Sequence, residues 1–103
     1  MAELPIVCTL QSAEMQRRRE GLLSGLKRRV QALEDRPDGY RMQFASDGDT
    51  LALIAGVVEA ERRCCRFLRF EIHVEPDDGP IYLDLSGPPG TREFLVSMLE
   101  DDR

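Results

Sequence analysis

Two adjacent cysteines, Cys64 and Cys65, lie near the end of the strongest helical pattern in the chain, and Glu61 precedes them by one helical turn. On a helix, residues three and four positions apart share a face, so the carboxyl group and both thiols can meet on one patch. Thiolates are soft ligands that select Zn(II), Cu(I) and other thiophilic ions over hard cations. A carboxylate beside them can accept a thiol proton or complete the coordination of such an ion.

Glu61 is the least expected member of this group, because the helical pattern predicts that it is buried. Steps of three and four residues place it on a mostly apolar stripe with Ile54, Val57, Val58, Cys64, Cys65 and Leu68. The opposite side of the helix is charged and consists of Glu59, Arg62, Arg63 and Arg66. Burying a carboxylate is costly unless it is paired, hydrogen-bonded or protonated. We therefore expect a partner for Glu61 inside the core.

A third thiol, Cys8, lies near the start of the chain in the segment Ile6–Leu10, whose side chains alternate. This alternation predicts a short strand that turns Cys8 toward the helices. If the strand passes beneath the helix, this thiol joins the carboxylate and the other two thiols in the sheet–helix interface. The sequence thus predicts a site for zinc or another thiophilic metal ion, with the ligands Cys8, Glu61, Cys64 and Cys65.

Two other interpretations of the cysteines stay open. Cysteine is among the most buried residue types and packs as a small hydrophobic side chain, so the pair can belong to the core of a non-catalytic interaction module. Alternatively, the chain is a thiol redox protein in which one of the pair is a reactive thiolate and Cys8 resolves it, since a disulfide between helical neighbours would be strained. The spacing also differs from the C-x-x-C of zinc knuckles and thioredoxin-type dithiols. No catalytic set of another kind is visible.

Composition limits the remaining classes of function. The chain has 103 residues, which suit one domain with its own core, spanning residues 1–103. Its 14 basic and 19 acidic residues give a net charge of −5, which argues against nucleic-acid binding. No apolar run approaches the roughly 20 residues of a membrane span, and the first residues lack the pattern of a signal peptide. Three cysteines, an odd number, argue against a disulfide framework, so we expect a cytoplasmic protein.

The elements that must position the thiols follow from the spacing of apolar residues. Strand patterns cover residues 6–10, 40–44, 70–74 and 81–85, and helical patterns cover residues 12–33, 50–66 and the chain from residue 91. The predicted order is therefore β-α-β-α-β-β-α. Every strand has one apolar face, which is typical of a mostly antiparallel sheet with helices packed on one side. We expect a single two-layer α+β domain.

The last two strands are predicted to form a hairpin around the loop at residues 76–80. The expected register pairs Val74 with Ile81, Ile72 with Leu83 and Phe70 with Leu85, which gives the hairpin one apolar face. The other face of the sheet is polar enough to be solvated. It can instead be closed by a homodimer contact, for which the candidate residues are Tyr40, His73 and Tyr82.

Three segments resemble a set of small uncharacterised bacterial proteins. Residues 61–70 resemble their Glu-x-x-Cys-Cys-Pro-Phe-x-x-Phe element, residues 87–95 resemble the region of their Ser/Thr-Gly-Pro-x-Gly turn, and residues 7–10 are also similar. No activity is established for that family, so the resemblance supports the site and not a function. Arg66 stands where the family has proline, which would stop the helix directly after the cysteines. We expect Arg66 to allow another helical turn and to place a cation near the thiols, which favours thiolate.

Overall fold

A computed structural model describes residues 17, 21 and 24–100 of the chain, except for the side chains of Cys64 and residues 97–100. Its elements are β1 (Val30–Arg36), β2 (Gly39–Phe44), α1 (Thr50–Cys64), β3 (Arg69–Val74), β4 (Ile81–Ser86) and α2 (Thr91–Glu100). Residues 17, 21 and 24–27 are helical and precede β1. The predicted strand at residues 6–10 lies outside the described residues.

The four strands form one antiparallel sheet in the order β1-β2-β4-β3. Alternation places the apolar side chains of β2 and β4 on one side of the sheet, against the helices. The core formed there comprises Leu26, Tyr40, Met42, Phe44, Ile54, Val57, Cys65, Phe67, Leu68, Ile81, Leu83, Leu85 and Leu95. The predicted α+β class, with a mostly antiparallel sheet and helices on one face, is confirmed.

The hairpin of β3 and β4 has the predicted register. Its cross-strand pairs include Val74 with Ile81, Ile72 with Leu83 and Phe70 with Leu85. In the connecting loop, Asp77 and Asp78 have positive φ angles of 61° and 57°, a conformation that aspartate adopts more readily than most residues. Because β2 pairs with the other side of β4, the apolar side chains of β4 are buried at the centre of the sheet.

The prediction that the first helix continues to residue 33 is wrong. Residues 28 and 29 form a turn, and β1 then pairs with β2 as an edge strand. Val30 and Leu33 fit a helical stripe by spacing, but pairing with β2 satisfies the backbone of this segment through the hydrogen bonds of the sheet. Leu33 is left 50% exposed at the sheet edge. The turn at residues 37–38 therefore closes a hairpin and does not end a helix.

The second helix, α1, ends at Cys64 and not near Arg66 as predicted. Cys65 has φ −110° and ψ 75°, outside the helical region, and residues 66–67 form a turn. The two residues that follow Arg66, Phe67 and Leu68, are buried, whereas Arg66 is exposed. The end of the helix at Cys64 thus allows these two apolar side chains to be buried, and Arg66 adds no helical turn.

Candidate functional site

Glu61 and Cys65 meet in the core beneath α1. The thiol of Cys65 donates a hydrogen bond to the carboxyl group of Glu61, with 3.8 Å between Sγ and Oε1. Cys65 is fully buried and Glu61 is 3% exposed. The prediction that Glu61 lies on the buried stripe of the helix is therefore confirmed, and Cys65 provides one partner for its carboxyl group.

The end of α1 positions this pair. The backbone N–H of Cys65 donates a hydrogen bond of 2.6 Å to the carbonyl oxygen of Glu61, which closes the last turn of the helix. In the turn that follows Cys65 along the chain, the main-chain N–H of Leu68 donates a hydrogen bond of 3.1 Å to the carbonyl oxygen of Cys65. Main-chain hydrogen bonds thus fix Cys65 both to the helix and to the turn that follows it.

A small cavity lies beside Glu61. Apart from Glu61 and Lys27, the residues that line it are apolar: Leu26, Met42, Val57, Leu68, Phe70, Leu83, Leu85 and Leu95. Its volume is about 20 Å³, which is room for one water-sized group. The carboxyl group of Glu61 thus borders this small, mostly apolar space, and the thiol of Cys65 contacts the carboxyl group without lining the space.

The other two predicted ligands fall outside what the structure describes. Cys64 is the last residue of α1, but its side chain is not described, and Cys8 lies outside the described residues altogether. Of the four predicted ligands, the structure therefore brings Glu61 and Cys65 together. Within residues 24–100, as far as their side chains are described, no group of three His, Cys, Asp or Glu residues is arranged to hold a metal ion.

The outer side of α1 is charged and exposed, as predicted. Glu59 accepts hydrogen bonds from Arg62 at 2.9 Å and from Arg63 at 3.2 Å. These two guanidinium groups hold the pKa of the Glu59 carboxyl group below its usual range. All three side chains are more than half exposed, so the pairs contribute little to stability. Glu59 is therefore a suitable exposed control for substitutions of Glu61 on the same helix.

The face of the sheet away from the helices carries a charged network that the sequence analysis missed. Arg41 on β2 donates two hydrogen bonds to Asp84 on β4, at 2.7 and 2.8 Å. His73 on β3 places Nε2 3.2 Å from Oδ2 of Asp84, and the guanidinium of Arg41 lies 4.8 Å from the ring centroid of Tyr82. Arg41 and Asp84 lie directly opposite each other on neighbouring strands. Predicting their contact would have required the order of the strands in the sheet.

Tyr40 does not lie on this polar face, so its predicted place among the candidate dimer contacts is wrong. It pairs with Leu85 on the helix side of the sheet and is buried. Because side chains alternate along a strand, Tyr40 must share a side with Met42 and not with Arg41. The guanidinium of Arg92 on α2 covers its ring, 5.4 Å from the centroid.

The pair of Arg41 and Asp84 makes the stability of the fold depend on pH in acid. Hydrogen bonding to Arg41, with the charges of Arg41 and His73, holds the pKa of Asp84 below its usual range despite partial burial. A carboxyl group whose pKa is lower in the folded state stabilises the protein above its unfolded pKa of about 4, and this stabilisation is lost as the pH falls through the folded value. We expect Asp84→Asn to lower the free energy of unfolding at neutral pH by about 1–2 kcal/mol.

Urea unfolding at neutral pH and at about pH 3 measures this effect, because the difference between Asp84→Asn and wild type should shrink in acid. Asp49 provides the matched control, since it pairs with Arg29 at 2.6 Å but its side chain is 74% exposed. Asp49→Asn should change stability at neutral pH less than Asp84→Asn does. A loss for Asp84→Asn that stays the same at both pH values would contradict the prediction.

Comparison of the chain with protein-family models, with curated proteins and with solved structures found no match. Among the described residues, none of the helices has the length and apolar character needed to cross a membrane. The function is therefore inferred from the chemistry of the residues themselves, of which the thiol–carboxyl pair of Cys65 and Glu61 is the most specific.

Proposed function

We propose that this protein binds a thiophilic metal or metalloid ion, with Cys65 and Glu61 as ligands and with Cys64 and Cys8 as the further thiolates. It would buffer, carry or sense this ion in the cytoplasm. The observation that carries the proposal is the buried contact between the Cys65 thiol and the Glu61 carboxyl group at 3.8 Å. Soft sulfur ligands favour ions such as Zn(II), Cu(I) or Hg(II) over hard cations such as Ca²⁺.

The carboxyl group supplies what a thiol needs in order to bind an ion. A thiol must lose its proton before its sulfur can act as a ligand. Oε1 of Glu61 already accepts the hydrogen bond from the thiol of Cys65, so the proton has an acceptor within the core. Once Glu61 has passed this proton on to solvent, the thiolate and one oxygen of the restored carboxylate can both contact the ion.

Burial favours ion binding over thiol–disulfide exchange. Exchange requires a thiolate to attack the sulfur of another molecule, and that attack needs access. Cys65 is fully buried, and a single ion needs a much smaller opening to reach it than a partner molecule does. Packing alone is the other alternative, but packing by itself requires no carboxyl group, and apolar residues such as leucine are the usual occupants of a buried position.

Titration of the reduced protein with Zn(II), Hg(II) or Cu(I), followed by native mass spectrometry, is expected to detect a complex with one ion. Loss of a residue that only hydrogen-bonds a metal ligand weakens metal affinity by roughly 10- to 100-fold. Cys65→Ser should weaken the affinity by more than this, because it removes a ligand itself. Glu61→Gln should weaken it by about 10-fold or more. Glu59→Gln, on the exposed side of the same helix, should leave it unchanged.

The titrations, together with alkylation of the thiols in the folded and in the denatured protein, decide between the candidate functions. Absence of binding in the reduced protein, or undiminished binding after Cys64→Ser combined with Cys65→Ser, contradicts the ion-binding function. Alkylation of Cys65 in the folded protein as fast as that of a small free thiol favours the redox function. If all three thiols resist alkylation until the protein is denatured and no ion binds, the cysteines belong to the core. Circular dichroism of each variant checks that it remains folded.

A further inference from the structure

We propose that a second copy of this chain pairs with the outer edge of β3, so that two sheets join into one across a twofold axis. In the strand order β1-β2-β4-β3, the only described neighbour of β3 is β4, on one side. The six residues of β3 include no proline and no glycine, and they pair with β4 without a shift of register. A regular edge strand of this kind can accept another strand through its main-chain groups.

The opposite edge of the sheet is less suited to pairing. β1 has a shift of register between Val30 and Ala32, and it ends in three consecutive charged residues. Bulges and charged side chains are devices that keep edge strands from pairing with other chains. β3 exposes two large apolar side chains on the helix side of the sheet, Ile72 at 38% and Val74 at 54%, whereas β1 exposes one, Leu33 at 50%. A partner strand beside β3 would cover both of its exposed apolar side chains.

Residues 69–75, which comprise β3 and the residue after it, are complementary to themselves when Ile72 lies opposite the partner's Ile72 in an antiparallel pair. In this register, Arg69 faces the partner's Glu75, His73 faces the partner's Glu71, and Phe70 faces the partner's Val74. Charges of opposite sign and apolar side chains that lie directly across from each other stabilise a strand pair. Directly opposite side chains also project to the same side, so the apolar rows of the two sheets become continuous.

Neighbouring registers lack this complementarity. One alternative places Glu71 opposite the partner's Glu71, and another places Glu71 opposite the partner's Glu75, so that in both cases like charges meet. Registers between these place apolar residues opposite polar ones, because a shift of one residue reverses the side of every side chain. Among these neighbouring registers, the pairing centred on Ile72 is therefore the one that the charges favour.

Charge reversal at Arg69, the first residue of β3, and at Glu75, which directly follows the strand, tests this interface. Sedimentation equilibrium of the wild-type protein should give twice the chain mass of 11.7 kDa. Arg69→Glu sets an acidic side chain against the partner's Glu75, and Glu75→Arg sets a basic one against the partner's Arg69. Each variant alone should raise the dissociation constant of the dimer about 10-fold or more, because two symmetric contacts become repulsive. An equimolar mixture of the two variants should dimerise again, because both contacts then join opposite charges.

The recovery in the mixture separates a lost contact from a misfolded variant. Arg28→Glu, in the exposed turn before β1, is the control and should leave the dissociation constant unchanged. A wild-type protein that stays monomeric at every concentration at which it is soluble overturns the proposal, including the case in which another segment of the same chain covers β3. A dimer that neither Arg69→Glu nor Glu75→Arg weakens overturns it as well.

Discussion

Replacing Glu61 with leucine is expected to lower the stability of the protein moderately and, at the same time, to weaken its binding of a thiophilic ion. The carboxyl group is 3% exposed and lies beside a cavity with mostly apolar walls. Removing one partner of a buried hydrogen bond leaves the other partner unsatisfied, so we expect a loss of about 1–3 kcal/mol in the free energy of unfolding. Ion affinity should fall because the acceptor of the Cys65 thiol proton is removed.

Urea unfolding without metal measures the first effect, and ion titration of the same samples measures the second. Glu59→Leu on the exposed side of α1 is the control, and it should change neither quantity by much. A gain in stability with unchanged ion affinity would show that the carboxyl group has no role in binding. A loss of stability well beyond the expected range would show instead that Glu61 is part of the structural framework of the core.

Phe44→Ala is expected to cause the largest loss of stability among the substitutions considered. Phe44 is fully buried on β2, between Val30 of β1 and Ile81 of β4. Truncating a buried phenylalanine to alanine leaves a cavity and costs about 3–5 kcal/mol. A domain of this size is stable by only about 5–15 kcal/mol, so the variant should unfold at a much lower urea concentration or temperature.

Leu33→Ala is the matched control for this substitution, because it tests the same sheet at a position that is 50% exposed. Its cost should stay below about 1 kcal/mol. If Leu33 lay on the buried stripe of a helix, as its spacing predicts, the same change would cost about 2–5 kcal/mol. A loss for Leu33→Ala as large as that for Phe44→Ala would therefore contradict the placement of residues 30–36 in an edge strand.

The comparison of β1 with the hairpin of β3 and β4 shows which elements could be predicted. Both strands of the hairpin alternate regularly around one loop, and a shift of one residue would turn Ile72 and Leu83 to the wrong side, so only one register fits. β1 lies at an edge and buries little, so its apolar residues do not have to alternate. Val30 and Leu33 therefore fit a helix as well as a strand, and only the pairing with β2 decides between them.

Within the candidate site, helical periodicity alone predicted the burial of Glu61, because the polar and apolar sides of α1 are cleanly separated. Where the helix ends could not be predicted in the same way, since Arg66 is compatible with a further turn and the burial of Phe67 is a tertiary effect. The contact of Arg41 with Asp84 depends on β2 lying next to β4, although α1 and β3 separate them along the chain. Local patterns carry no information about such an arrangement.

Cys65 donates two hydrogen bonds to Glu61, one from its main-chain N–H to the carbonyl oxygen and one from its thiol to the carboxyl group. A displacement of the whole residue from Glu61 would break both hydrogen bonds and loosen the last turn of α1. If such a local opening is what exposes the fully buried thiol, then under the proposed function both uptake and release of an ion depend on it. The rates of uptake and release would then follow the opening of the helix end and not the rate of diffusional encounter. Such slow exchange suits long retention of an ion better than rapid transfer between partners.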